Sequence, residues 1–209
     1  IVKRVIRRLS LDWDPRPAIK IASQLSPPIA RLLRLGAGRF LRGGTFYEDF
    51  VKTLTTINAS WSFTQKMVRS LVNDFGEGAF PQPKHIMKSS VLRLQEIAKM
   101  GYRAKVLYEA TCHLLQQNLI DDKGVANDQK ITFDDLISIK GIGQYAATHM
   151  TVLLHSFSKI PIDSEVSSYC AERYGINKKG VLDFFSPWKD FTFLGYKLTR
   201  MKEKDNWIG

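Results

Sequence analysis

ITFDDLISIKGIGQYAATHMTVLLHSF, residues 131–157, is the stretch on which the reading of the chain turns. Thr132 stands three residues before Asp135, the spacing of a capping box that opens a helix. Leu136 and Ile139 would face a core. Lys140-Gly141-Ile142-Gly143 then breaks the helical pattern as a tight turn, and a second helix starts near Gln144. Its apolar face is Ala146, Ala147, Met150, Leu153, Leu154 and Phe157. Glycine reaches positive φ and lets a foreign backbone come close. The amides of such a turn point outward beside a helix N-terminus with its partial positive charge, and that pairing binds phosphate. Ile142 would turn inward as a brace. A Gly-apolar-Gly turn alone is equally an ordinary interhelix loop. The flanking Leu-x-x-Ile-Lys and the small Ala146-Ala147 pair favour a hairpin that grips a nucleic-acid backbone without reading bases.

Just downstream lies Ser158-Lys159-Ile160-Pro161-Ile162-Asp163-Ser164-Glu165-Val166. Pro161 imposes an extended approach. Asp163 then falls at the start of the helix SEVSSYCAERYG, where a negative charge is favoured. Taken alone, Asp163 reads as an N-cap. About twenty residues after a phosphate-gripping turn, it also reads as a fixed carboxylate placed to stabilise a sugar cation or activate water.

Outward from this region the pattern stays helical, and an all-α fold of compact, two-lobed form is expected. Helices are predicted near 15–24 (Asp14 cap, Pro15 in the first turn), 28–35, 45–57, 61–75, 86–89, 91–99 and 103–117. Residues 121–130 are polar and expected to be mobile. The chain of 209 residues carries a net charge of +11. Residues 1–45 hold ten Lys and Arg against Asp12 and Asp14, so most of that excess is N-terminal. Such a balance points to a polyanionic partner, with a solvated basic face as the alternative. Cys112 and Cys170 are too few and too far apart for a disulfide framework or a zinc site, and reduced thiols are expected. His149 and His155 read as structural, and no metal site is expected from side chains. No apolar run is long enough to cross a membrane, and no membrane partner is expected.

Together these segments resemble the helix-hairpin-helix DNA glycosylases with the Gly/Pro-Asp signature, in particular the alkylpurine (3-methyladenine) and oxidised-purine (8-oxoguanine) branches. The resemblance covers most of the chain. LSLDWDP (9–15) is similar to the entry to the glycosylase domain, and RFLRGGTFYEDFVKTL (39–54) to the helix before the DNA-wedging loop. FGEGAFPQP (75–83), MGYRAKVL (100–107) and SPWKDFTFLGYKL (186–198) are similar to the connector, the Gly-Tyr-Arg-Ala loop and the closing Pro-Trp helix. LISIKGIGQYAATHM supplies the hairpin and IPIDSEV the acid.

The resemblance implies an enzyme that flips a damaged base, a purine first, from duplex DNA and hydrolyses its glycosidic bond with Asp163. It implies one glycosylase domain over 1–209, with lobe one at 1–45 plus 164–209, lobe two at 46–163, and the hairpin at 132–157. Relatives carry an N-terminal β-rich lobe, so such a domain is expected to have preceded Ile1. Lys140, Gly141, Ile142, Gly143, Gln144 and Tyr145 would meet the DNA backbone. Arg103 and Lys105 would contact phosphate or stay as surface charges. Asn58, Ser60 or Trp61 would border the gap in the stack, because Ile57-Asn58-Ala59-Ser60-Trp61 replaces the paired Gln or Asn of many relatives. Trp61, Phe63 and Trp188 are pocket candidates, with core packing as the alternative. Tyr145 stands where bifunctional members carry a Schiff-base lysine, which implies a monofunctional enzyme leaving an abasic site. The four-cysteine iron–sulfur loop of some relatives is missing. No cofactor is expected beyond a monovalent cation that hairpin carbonyls could hold. A monomer acting on double-stranded DNA, in a bacterial cytoplasm at the nucleoid or in a nucleus, is expected. The alternatives are a non-enzymatic DNA-binding module and a glycosylase/lyase using another lysine.

Overall fold

The computed structural model describes residues 2–127 and 131–205, with side chains as far as residue 202. In chain order the helices are α1 (Val2–Arg8), α2 (Arg16–Leu25), α3 (Pro27–Arg34), α4 (Phe46–Thr56), α5 (Trp61–Ser70), α6 (Pro83–Met87) and α7 (Val91–Glu96). They continue as α8 (Arg103–Gln116), α9 (Phe133–Ser138), α10 (Gln144–Leu153), α11 (Ser164–Tyr174), α12 (Val181–Phe185) and α13 (Thr192–Asp205). A π-turn, Leu71–Phe75, prolongs α5 up to Gly76. The described residues form no β-strand, only an isolated bridge between Ile120 and Ala126. The all-α expectation holds. None of the described helices is long and apolar enough to cross a membrane.

The chain divides into two compact units: Ile1–Leu41 with Thr151–Gly209, and Arg42–Met150. The lobe boundaries expected at 45/46 and 163/164 are therefore corrected to 41/42 and 150/151. The reason is burial. Val152, Phe157 and Ile160 sink into the apolar cluster of the first unit, and Gly43 and Gly44 are tied to the start of α4.

In the first unit, Asp14 accepts from the Arg16 amide at 3.0 Å and so satisfies an open donor at the start of α2. Ala18 and Ala22 keep one face of α2 small, which lets α3 lie close with Ile29, Ala30 and Leu33 buried. Trp13 stands edge-on to Phe157, with centroids 5.2 Å apart. Gly38, at φ +86°, gives the Trp13 ring room that a Cβ would take. Trp188 closes the other side. An ideal Cβ at Gly195 would stand 2.3 Å from its ring, so the indole lies directly on the α13 backbone.

In the second unit, α4 is the buried centre, with Phe46, Tyr47, Phe50, Val51 and Leu54 enclosed. Thr45 accepts from the Glu48 amide at 3.1 Å, while Glu48 reaches back to the Gly44 amide at 2.7 Å. Tyr47 shares a 2.6 Å hydrogen bond with Thr111 on α8. The polar stretch after α8 is pinned as far as residue 127, contrary to the mobility expected of it. Asp121 Oδ1 accepts from the Lys123 and Val125 amides, and the Gly124 carbonyl accepts from the Tyr47 amide at 3.0 Å. Residues 128–130 of that stretch lie outside the described residues.

Candidate active site

Helix α9 opens with the capping box that its sequence predicts: Thr132 accepts from the Asp135 amide, and Asp135 accepts from the Thr132 amide at 2.7 Å. The Thr132 hydroxyl and amide donors hold the Asp135 carboxyl below its ordinary pKa. Leu136, Ile139 and Ile142 are buried, so the apolar side of the 140–143 turn faces inward. Lys140, Gly141, Gly143 and Gln144 are exposed. The two glycines differ in what they permit. Gly141 sits at φ +92°, and a Cβ there would meet Val106 of α8 at 2.6 Å. A Cβ at Gly143 would meet nothing within 4 Å, so its outer side is open. Helix α10 begins at Gln144, and the amides of a first helical turn have no acceptor within the helix. Tyr145 is half-buried and stacks on His149, with centroids 6.0 Å apart. The chain thus places exposed Lys140, Gly141, Gly143 and Gln144 on one turn at the start of a helix, an arrangement suited to a phosphate.

Between α4 and α5 the backbone reverses at Asn58, which is exposed at φ +49°. Ser60 caps α5 by accepting from the Phe63 amide at 3.3 Å. Arg103, expected at phosphate or as a surface charge, is instead 5% exposed and built into this turn. Its Nε donates to the Ile57 carbonyl at 3.0 Å, and Nη2 donates to the carbonyls of Ile57 and, at 3.0 Å, Asn58. The carbonyls left open where α4 ends draw the guanidinium inward. Lys105 stays at the surface, 3.7 Å from Glu109. Tyr102 was not among the sequence candidates. Its ring, 55% exposed, covers the Arg103 guanidinium at 4.7 Å. An aromatic directly before a buried arginine at a helix start is the signal that could have found it.

Trp61 is 70% exposed and lines a cavity of about 410 Å³ with Lys52, Thr56, Thr64, Gln65, Val68 and Arg69. Phe63 is half-buried and outside that lining. Trp188, the third pocket candidate, is a core residue of the first unit, 7% exposed against Gly195. Its role as a pocket wall is corrected to packing. Among the described residues no group of three or more His, Cys, Asp and Glu could hold a metal ion. Cys112 and Cys170 are free thiols.

In the first unit, buried Ile160 and Pro161 lead the chain in extended form to Asp163, the N-cap of α11. Asp163 Oδ1 accepts from the Val166 amide at 2.8 Å, and the Asp163 carbonyl accepts from the Ser167 amide and hydroxyl. The cap reading of this residue is therefore what the backbone shows. It leaves the other oxygen uncommitted: Oδ2 accepts no hydrogen bond among the described residues. The carboxylate is half-buried, and its charge reaches the Tyr196 hydroxyl, whose pKa is raised by burial first and by Asp163 in addition. Two residues after Asp163, Glu165 pairs with Arg200 of α13. Burial opposes the Arg200 charge, but its bonds to Glu165 and Tyr196 outweigh that and hold its pKa above the ordinary value.

No family model matches the chain, and no curated protein matches it by sequence. Solved structures do match by fold. An 8-oxoguanine glycosylase/lyase from Clostridium acetobutylicum, in complex with double-stranded DNA holding cytosine opposite 8-oxoguanine, superposes with a TM-score of 0.68 at 18% identity, over 95% of this chain and 73% of that one. Its apo form gives 0.69 at 18% identity, over 92% and 72%. The 3-methyladenine DNA glycosylase of H. pylori, bound to 1,N6-ethenoadenine, gives 0.55 at 18% identity, over 90% and 97%. The chain has the helical fold that these DNA glycosylase structures share.

Proposed function

We propose that this chain is a DNA repair glycosylase acting on a damaged base in duplex DNA, with Asp163 as the reacting carboxylate. The observation that carries the reading is Asp163 itself. It is fixed through Oδ1 at the start of α11 with Oδ2 uncommitted, on a fold shared with solved glycosylases. In the reaction the C1′–N bond breaks, its electron pair leaves with the base, and positive charge develops on the sugar. A fixed carboxylate in a half-buried site stabilises that charge and accepts a proton from the water that adds to C1′. The turn at 140–143 and the basic N-terminal segment hold the sugar–phosphate chain, so affinity falls with salt. Asn58 borders the gap left by the extruded base.

Tyr145 cannot form a Schiff base, which supports a monofunctional enzyme that leaves an abasic site. The preferred substrate class is an alkylated purine. Exposed Trp61 beside its cavity offers an aromatic face to a base that carries positive charge. Because the C. acetobutylicum neighbour is a glycosylase/lyase, a second reading uses another lysine for strand scission. The test is excision from duplexes that each carry one lesion: alkylated purine, 8-oxoguanine, hypoxanthine or uracil. Release of a base by the wild-type chain and none by Asp163→Asn supports the reading. Equal release by both overturns the role of Asp163, and release of none by the wild-type chain leaves only DNA attachment. A covalent adduct trapped by borohydride would select the lyase alternative.

A further inference from the structure

We infer that Arg200 is a positioning residue, tying the first turn of α11 and the Asp163 carboxylate within it to helix α13. The inference rests on the proposed role of Asp163. An ion pair at a surface contributes little by itself, and Glu165 is 68% exposed. Arg200 is different. Its side chain is only 12% exposed, and it is engaged on three sides. It donates to Glu165 through Nη2 and to the Tyr196 hydroxyl through Nη1 at 2.8 Å, and its guanidinium lies 5.2 Å from the centroid of the Tyr169 ring. Glu165 and Tyr169 belong to α11, whereas Tyr196 is one turn earlier than Arg200 on α13. One cation therefore locks two turns of α11 onto α13.

The chemistry fits arginine and not lysine. A planar fork serves two acceptors while its face packs on an aromatic ring, whereas an ammonium is a single point of attachment. The placement matters because helix ends fray first. Asp163 is the cap residue of the turn in question, held by the Val166 and Ser167 amides. If that turn loosens, the cap bond and the direction of Oδ2 change together. A reacting group displaced by about an ångström can lose on the order of a hundredfold in rate. Tyr196 completes the arrangement. Its hydroxyl accepts from Arg200 at 2.8 Å, while burial, the largest influence on it, holds its pKa above the ordinary value.

The experiment uses the whole chain and the variants Glu165→Gln, Arg200→Lys and Arg200→Met. Three quantities are read: hydrogen exchange at the Val166 amide, the single-turnover excision rate on the best lesion duplex, and duplex affinity. Glu165→Gln changes an exposed side chain and retains the fold if the large variant does not. The expected result is faster Val166 exchange in all three variants and excision slowed about tenfold in Glu165→Gln and more in Arg200→Met, with affinity within about twofold. Arg200→Lys should recover part of the loss. Faster exchange in a chain that excises nothing even as wild type would retain the positioning role and remove the glycosylase reading. Unchanged exchange at Val166 in Glu165→Gln and Arg200→Lys overturns the inference, as does slower excision that only follows weaker DNA binding.

Discussion

Gly141 lies against Val106: a Cβ at position 141 would stand 2.6 Å from a methyl carbon of that valine, at a φ of +92°. The turn at 140–143 is thus seated on α8 through one glycine and open to the outside at the other. Gly141→Ala is expected to cost about 2–3 kcal/mol, from positive-φ strain together with overpacking. Gly143→Ala meets no neighbour within 4 Å and should leave stability within about 0.5 kcal/mol, while weakening duplex binding severalfold as its methyl blocks an approaching phosphate. Urea unfolding and fluorescence anisotropy on undamaged duplex separate the two effects. Equal stability loss in both variants would contradict the division of labour.

Arg103 answers to the same method with the opposite expectation. Because it is buried and spent on the Ile57 and Asn58 carbonyls, it should contribute to stability and not to phosphate contact. Arg103→Met leaves those carbonyls without their donors and is expected to cost about 3 kcal/mol. The slope of log affinity against log salt should be unchanged, where loss of one phosphate contact would lower it by about one. A reduced slope with unchanged stability would return Arg103 to the DNA face.

These cases show what could be read from the chain alone. Caps and periodicity carried the helices, since Thr45, Thr132 and Asp163 each bond within three residues of themselves, whereas the cap role of Ser60, read as a residue bordering the gap, was not recognised. Partners far apart in sequence were not legible. Arg103 finds its acceptors about 45 residues away, and its place at the start of a helix looked like surface. For Trp188 pocket wall and core packing were both open readings, and its burial against Gly195 decides for the core. Residues 121–127 looked loose because polar composition does not show that Asp121 and the Gly124 carbonyl hold them. For Asp163 both readings were visible, and the N-cap reading, favoured when it is taken alone, describes its backbone. The support behind it was missed, because Glu165 and Arg200 meet across 35 residues.

Acid should loosen the start of α9. Thr132 donors depress the Asp135 carboxyl below 3.8. A carboxyl whose folded value is depressed adds stability above its unfolded value, and that stability is lost as pH falls through the folded value. Amide exchange at Asp135, whose N–H the Thr132 hydroxyl accepts, should therefore quicken as pH drops below about 4, after correction for intrinsic rates. In Asp135→Asn the same amide should be less protected at neutral pH and flat through the acid range. Acid sensitivity that survives in Asp135→Asn would assign the effect elsewhere.

Asp163 is both cap and proposed reacting group, and two substitutions pull these apart. Asparagine is as good an N-cap as aspartate, whereas alanine is not. Asp163→Asn should therefore keep the Val166 bond and lose no more than about 0.5 kcal/mol, while Asp163→Ala should lose about 1 kcal/mol more. Excision should fall in both by a factor of at least about a hundred, because neither carries the charge that stabilises the sugar cation. Duplex affinity should be retained in both, since the turn at 140–143 and the basic segment are untouched. Stability and excision then rank the variants differently: Asn is near wild type in one and near Ala in the other. Should excision instead follow stability, with Asn close to wild type in both, Asp163 would be a helix cap and nothing more.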